Sequence, residues 1–287
     1  MLILKNKYHR LLLALSCAAG LLLAGLLLAE PVREAFAPAA GTPLPVIMYH
    51  SVLRDPARTG AYVVTPDSIR QDMEWLRENG YAAVSIEALT AYIFEGAELP
   101  ERPVLLTFDD GYLNNMTYLP ELMAEYDMCA VIFAVGEYAE RYTELDDPNP
   151  NYAYMTWTDL EELAADPHFE IGSHTYGLHS LKPRRGSGRM RSETRGQWES
   201  VFREDVGRMR EALGELGITT PAFAYPFGIV SEGADELLAA MGYKCTFTCA
   251  EEINLLAPGD AGSLLGMGRF NRDGGMSTEE FMAKIFR

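Results

Sequence analysis

From residue 45 onward, short apolar runs alternate with longer amphipathic stretches, and this alternation restricts the fold more than any other feature of the chain. Runs at 45–49, 103–108, 129–135, 169–173, 222–225, 243–248 and 264–269, with a shorter one near Ala83, read as strands. The stretches 66–79, 86–94, 118–126, 157–165, 193–216, 231–241 and 277–286 read as helices. The first helix has Thr65 as a cap, Pro66 at its first position and Gly80 at its end. Repeated strand–helix units predict an α/β fold with a parallel sheet and helices outside it, either open or closed into a barrel. In a barrel, chemistry belongs at the C-terminal ends of the strands, so polar residues just after each apolar run are the functional candidates.

A length of 287 residues suits one large domain or two small ones. The formal net charge of −17 argues against a nucleic-acid partner, because neutralising phosphates requires Lys and Arg. No CxxC pair occurs among the four cysteines, which argues against a cysteine-rich zinc site.

Residues 11–29 form an unbroken apolar or small-residue run, preceded by Lys5, Lys7, His9 and Arg10 and ended by Glu30 and Pro31. As a helix it would span about 28 Å, close to the thickness of a bilayer's hydrocarbon core. The positive charge ahead of the run places the remainder of the chain outside the cytoplasm. Residues 1–30 are therefore expected to form a signal anchor, 31–44 a linker rich in Ala and Pro, and 45–287 the working domain. A cleaved signal peptide is the alternative, although Pro38 after Ala35-Phe36-Ala37 is unfavourable for processing.

Four strand ends carry unusual polar groups: His50 after Met48-Tyr49; Asp109-Asp110-Gly111-Tyr112 after Leu105-Leu106-Thr107-Phe108; His174 and His179 after Ile171-Gly172-Ser173; and Tyr225-Pro226-Phe227-Gly228 after Phe223-Ala224. Adjacent carboxylates at the end of an apolar strand are costly to bury unpaired, and a turn at Gly111 can bring both into one pocket. Read alone, the fragment is equally an Asp-Asp-Gly turn that caps the next helix. His174 and His179 are five apart and share no helical face, but a loop through Gly177 can fold both inward. Two imidazoles and one carboxylate make a three-ligand set that leaves a position for water, the pattern of catalytic zinc, which cobalt, nickel and iron also accept. Taken alone, they are also readable as ordinary surface histidines. His168 reads as a loop residue.

Together, Thr-Phe-Asp-Asp-Gly, His-Thr-x-x-x-His and the Tyr-Pro-x-Gly strand end resemble the polysaccharide deacetylase family, the NodB-like carbohydrate esterases, over roughly residues 45–271. The histidine spacing and Phe-Ala-Tyr-Pro-Phe-Gly are similar to the branch that deacetylates poly-N-acetylglucosamine. The resemblance implies a distorted (β/α)7 barrel and metal-dependent removal of N-acetyl groups from an extracytoplasmic polysaccharide, with release of acetate. It assigns Asp110, His174 and His179 to one divalent ion, zinc first, and Asp109 to the general base. It gives the backbone N–H of Tyr112 to the oxyanion.

The chain departs from the family pattern at two places. Ala224 stands where the third motif normally has an Arg that orients the catalytic Asp, and Arg269 is the candidate substitute, grouped with Tyr112 and Tyr225 as an expected substrate or oxyanion contact. No His comes after His179 to act as general acid, which leaves His50 as the candidate, equally readable as a structural or sugar-binding residue. Loss of that acid predicts turnover about 10²-fold or more below a complete site. Tyr49, Tyr176, Tyr225 and Phe227 are candidates for stacking on sugar rings, with core edges as the plain alternative. Residues 182–195 carry six basic side chains and read as a lid, a contact for an anionic polymer, or a solvated loop. Two rival functions are a sugar-binding scaffold without activity and a hydrolase of small cyclic amides.

Overall fold

The computed structural model describes residues 41–286. In chain order the elements are Thr42–Leu44 (β1), Val46–Tyr49 (β2), Ser51–Val52 (β3), Val63–Val64 (β4), Pro66–Glu78 (α1), Ala82–Ala83 (β5), Ile86–Phe94 (α2), Pro103–Asp110 (β6), Leu113–Tyr126 (α3), Ala130–Ala134 (β7), Gly136–Leu145 (α4) and Trp157–Ala164 (α5). Next come Phe169–Ser173 (β8), Arg195–Glu215 (α6), Ala222–Ala224 (β9), Ala234–Ala240 (α7), Cys245–Phe247 (β10), Asn254–Leu256 (β11), Phe270–Asn271 (β12) and Thr278–Ile285 (α8). The first helix starts as its sequence predicts, with the Thr65 side chain accepting from Ser68 N–H and Pro66 opening the helix. Reciprocal capping boxes at Thr156/Asp159, Thr194/Gln197 and Ser277/Glu280 fix the starts of α5, α6 and α8.

The main sheet runs β10-β9-β8-β7-β6-β2-β12, parallel throughout, with β5 added beside β6. Period-two alternation sorts its side chains. Val104, Leu106 and Phe108 of β6, with Ile132 of β7 and Ile171 of β8, pack outward against Met73, Leu119 and Met123 of the helices. Leu105, Val131, Phe133, Ala224 and Phe247 meet on the other face. The sheet curls because one segment serves both of its edges: Met267 bridges Phe247 of β10, and Phe270–Asn271 pairs with β2. A curled parallel sheet with helices outside fits a distorted (β/α) barrel.

Three expectations change. Residues 264–269 do not form a regular strand: a 3-10 turn over Ala261–Leu264 leads to the single bridge at Met267, and the strand proper is β12. Thr42–Leu44, within the stretch read as linker, forms β1 and pairs antiparallel with β11, because Leu44 is fully buried in the inner core. Helix α4 is an addition to the elements expected from the sequence. No helix among the described residues is long and apolar enough to cross a membrane, and the 11–29 run read as an anchor lies outside those residues.

Candidate active site

The same alternation that builds the core aims the polar residues. On β6, Leu105, Thr107 and Asp109 share the inner face, so Asp109 enters the barrel mouth at the end of an apolar row. Continued alternation would send Asp110 outward. Instead Asp110 and Gly111 both adopt left-handed backbone, each with φ of 73°, and the second carboxylate turns back beside the first. His174 continues the inner row of Glu170 and Gly172 on β8. Thr175, with φ of 73°, then starts the loop that returns His179.

The side chains converge. One ligand atom from each of Asp110, His174 and His179 lies within 4.8 Å of the others. Asp110 Oδ1 is 3.1 Å from His179 Nε2 and 3.7 Å from His174 Nε2. Asp109 Oδ2 is 3.9 Å from His174 Nε2. His174 Nδ1 lies 2.7 Å from the Ala224 carbonyl, which can only accept, so Nδ1 carries the proton and a neutral ring presents its Nε2 lone pair inward. Burial lowers the His174 pKa to about 4, against the pull of the Asp109 charge, so the ring is neutral at neutral pH. Burial pushes the Asp110 carboxyl up, but the His179 hydrogen bond and the nearby His50 and His179 charges outweigh it and hold the group below the usual range. One carboxylate oxygen and two imidazole nitrogens suit a divalent ion and leave room for further ligands.

Arg269 answers the missing arginine of the third motif. It is fully buried, and its Nη1 and Nη2 donate to Asp109 Oδ1 and Oδ2 at 2.6 and 2.7 Å. Its Nε donates to the Thr248 carbonyl. Burial raises the Asp109 pKa, yet the Arg269 charge, then that of His174 and the paired hydrogen bonds, bring it well below the ordinary carboxylate range. With every guanidinium nitrogen engaged inside the protein, Arg269 orients Asp109 and is not a substrate or oxyanion contact, which corrects that expectation.

Tyr225 is also corrected. Alternation along β9 places Ala224 inside and sends Phe223 and Tyr225 to the outer face, where Tyr225 is fully buried and donates to Asp235 at 2.7 Å. Tyr49 likewise faces outward and donates to Asp72, and Tyr176 is covered by the Arg208 guanidinium, 3.7 Å from its ring centre. Of the four proposed stacking residues, only Phe227 stands at the site, with its ring 4.8 Å from that of His179.

His50 continues the inner row of Val46 and Met48, and its charge acts on both aspartates. Its Nδ1 is buried without a hydrogen-bond partner, and its ring meets Tyr62 edge-on at 4.8 Å. Tyr112 stacks on Tyr154 at 4.7 Å. The bridge between these segments uses Leu113 N–H with Ala153 C=O and Met155 N–H with Gly111 C=O, so the Tyr112 N–H points away from the Tyr154 strand. Residues 182–195 form a cross-linked loop: Arg184 pairs with Glu193 through Nη1 and Nη2 and donates to Gly188 C=O, and Trp198 Nε1 donates to Ser187 C=O.

Two contributors escaped the sequence reading. Asp205, in the middle of α6, accepts from Tyr176 N–H at 2.8 Å and Gly177 N–H at 2.7 Å, clamping the loop that carries the histidines. Tyr138 of α4 contacts His179 through its hydroxyl. Nothing distinguishes Asp205 among the charges of its helix, but Tyr138 lies just past β7 and was open to the same strand-end rule that found the others.

Residues 96–246 match the family model described as polysaccharide deacetylase. The chain is 29% identical over 222 residues to the poly-beta-1,6-N-acetyl-D-glucosamine N-deacetylase of Escherichia coli (strain K12), covering 70% of this chain and 33% of that protein. It thus spans about a third of the length of that relative. The solved structure of IcaB from Ammonifex degensii superposes with a TM-score of 0.69 at 26% identity, covering 86% of this chain and 97% of that one. The Streptococcus pyogenes deacetylase PplD shares the fold at a TM-score of 0.68 and 20% identity, over 86% of this chain and 100% of that one.

Proposed function

Since this chain belongs to the polysaccharide deacetylase family, we propose that it hydrolyses N-acetyl groups of an N-acetylglucosamine-containing polysaccharide, releasing acetate and leaving a free amine. The observation that carries the reading is the convergence of Asp110, His174 and His179 within 4.8 Å, beside an Asp109 held by two bonds from Arg269. The polymer class is taken from the named activities of the Escherichia coli protein and of other relatives. Placement outside the cytoplasm rests on the charged and apolar order of residues 5–29.

Asp110, His174 and His179 would hold one divalent ion, with zinc first and cobalt, nickel or iron as alternatives. When bound, such an ion acidifies water and polarises a carbonyl oxygen. Asp109 acts as the base that removes the proton from the attacking water. Arg269 keeps that carboxylate ionised and fixed in direction, at some cost in basicity. The Tyr112 N–H is free to donate to the oxygen on which negative charge develops. His50, at the mouth with an unpartnered Nδ1, is the group available to protonate the departing amine.

The test is acetate release from defined N-acetylglucosamine oligomers, measured by mass spectrometry with zinc, with cobalt and after chelation. Chelation should abolish release and added ion restore it, and Asp109→Asn should lower kcat about 10²–10⁴-fold. Release that persists undiminished in the chelated protein, or in Asp110→Ala, would overturn the reading.

A further inference from the structure

We infer that Tyr138 sets the tautomer and direction of the His179 ring as a ligand, a positioning role that rests on the reading of Asp110, His174 and His179 as a metal site. The two histidines are oriented in different ways. The outer nitrogen of His174 meets a backbone carbonyl, which no side-chain substitution removes. The outer nitrogen of His179 meets a single side-chain hydroxyl, that of Tyr138, at 3.1 Å.

The direction of that bond is fixed by the inventory of donors. The Tyr138 oxygen also lies 3.3 Å from the carbonyl of His179 itself. A carbonyl can only accept and a phenol has one proton, so the hydroxyl donates to His179 C=O and its lone pair accepts from His179 Nδ1–H. That arrangement turns Nε2 toward Asp110 Oδ1, 3.1 Å away, where its lone pair would be the one offered to a bound ion. The opposite tautomer would put a hydrogen where the ligand bond must form. Both histidines therefore present Nε2 inward and have Nδ1–H satisfied from outside, the pattern by which outer partners raise ligand basicity and hold ring direction.

Tyr138 is itself held in place. Its ring packs against Tyr154 at 4.4 Å and meets the His179 ring near edge-on, at 5.6 Å and 73°. The first turn of α4 is tied to the histidine loop by Gly136 N–H to Thr175 C=O and Glu137 N–H to Tyr176 C=O. The orienting hydroxyl and the ligand it orients thus move as one unit.

The experiment measures Zn²⁺ affinity by competition with a chelating indicator on the full chain and on Tyr138→Phe, Tyr154→Phe and Asp110→Ala. Phe keeps the ring and deletes the hydroxyl. Tyr138→Phe should bind zinc about 10–100-fold more weakly, Tyr154→Phe should bind as the parent does, and Asp110→Ala should not bind. The Tyr154 variant deletes a neighbouring phenol hydroxyl, one that bonds Tyr112 and not His179, and so separates the Tyr138–His179 bond from a general loss of polarity in the aromatic cluster. Parent-like affinity in Tyr138→Phe, with binding still abolished in Asp110→Ala, overturns the role of Tyr138 and leaves the ligand set standing. An equal loss in Tyr154→Phe also overturns it. Undiminished binding in Asp110→Ala overturns both readings.

Discussion

The Asp109–Arg269 pair shows how a single residue can matter twice. Neither side chain reaches bulk water, so deleting the arginine leaves a buried carboxylate without its counter-charge, at about 3–5 kcal/mol. Arg269→Ala should therefore lower both the melting temperature and kcat, whereas Arg269→Lys, which keeps the charge but not the two-pronged grip, should spare more stability than activity. Calorimetry beside acetate assays separates the two effects. The pair also fixes a pH dependence. The folded-state pKa of Asp109 lies below its unfolded value of about 3.9, so its contribution to stability is complete above that pH and is lost as pH falls through the folded value. Acid titration of metal-free protein should show this loss, and Arg269→Ala should remove it. Tyr225→Phe makes the opposite case: its hydroxyl serves Asp235 on the outer face, so acetate release should persist with a stability loss of about 1 kcal/mol.

At the scale of elements, the site is assembled by strand alternation and by the docking of α4 against the histidine loop. Gly136 permits that docking, because a Cβ there would stand 2.5 Å from the Tyr176 ring and 3.0 Å from Met209 Sδ. Gly136→Ala should cost about 1–3 kcal/mol by overpacking and weaken metal binding by displacing the loop, as denaturant melts and zinc titration would show. Much of the site was legible from the amino-acid order, since Thr107-Phe108-Asp109-Asp110-Gly111 and the two histidines come after apolar runs whose period is local. The outward face of Tyr225 was legible too, because Phe223 and Tyr225 alternate with the small Ala222 and Ala224. The grip of Arg269 on Asp109 is a pairing between distant segments, which no local period records. Asp205 was hidden for a related reason: its partners are backbone N–H groups, which carry no side-chain signature. Helix α4 was missed because its first residue continues directly from an apolar strand without a side-chain cap.

For the molecule as a whole, closure of the sheet and organisation of the site are one event. The segment that bridges β10 at Met267 and joins β2 at Phe270 carries Arg269 inward between those points, and Arg272 just beyond. Arg272 is buried against Asp72, whose carboxylate also accepts from Tyr49 and Thr278, so α1, β2, β12 and α8 share one polar knot. Arg272→Met should destabilise the chain by about 3–5 kcal/mol, because Asp72 would remain buried and charged. Urea melts of that variant, compared with the double variant Arg272→Met/Asp72→Leu, should show recovery when the stranded charge is also removed. The separation of Asp109 from Arg269 by 160 positions has a consequence in time. During synthesis the aspartates and histidines leave the ribosome long before the arginine that steadies the base. On the proposed mechanism, a chain made past His179 but short of Arg269 would hold all three proposed ligands without the arginine that steadies the base, and competence would arrive late, when the far edge of the barrel is sewn to the near one.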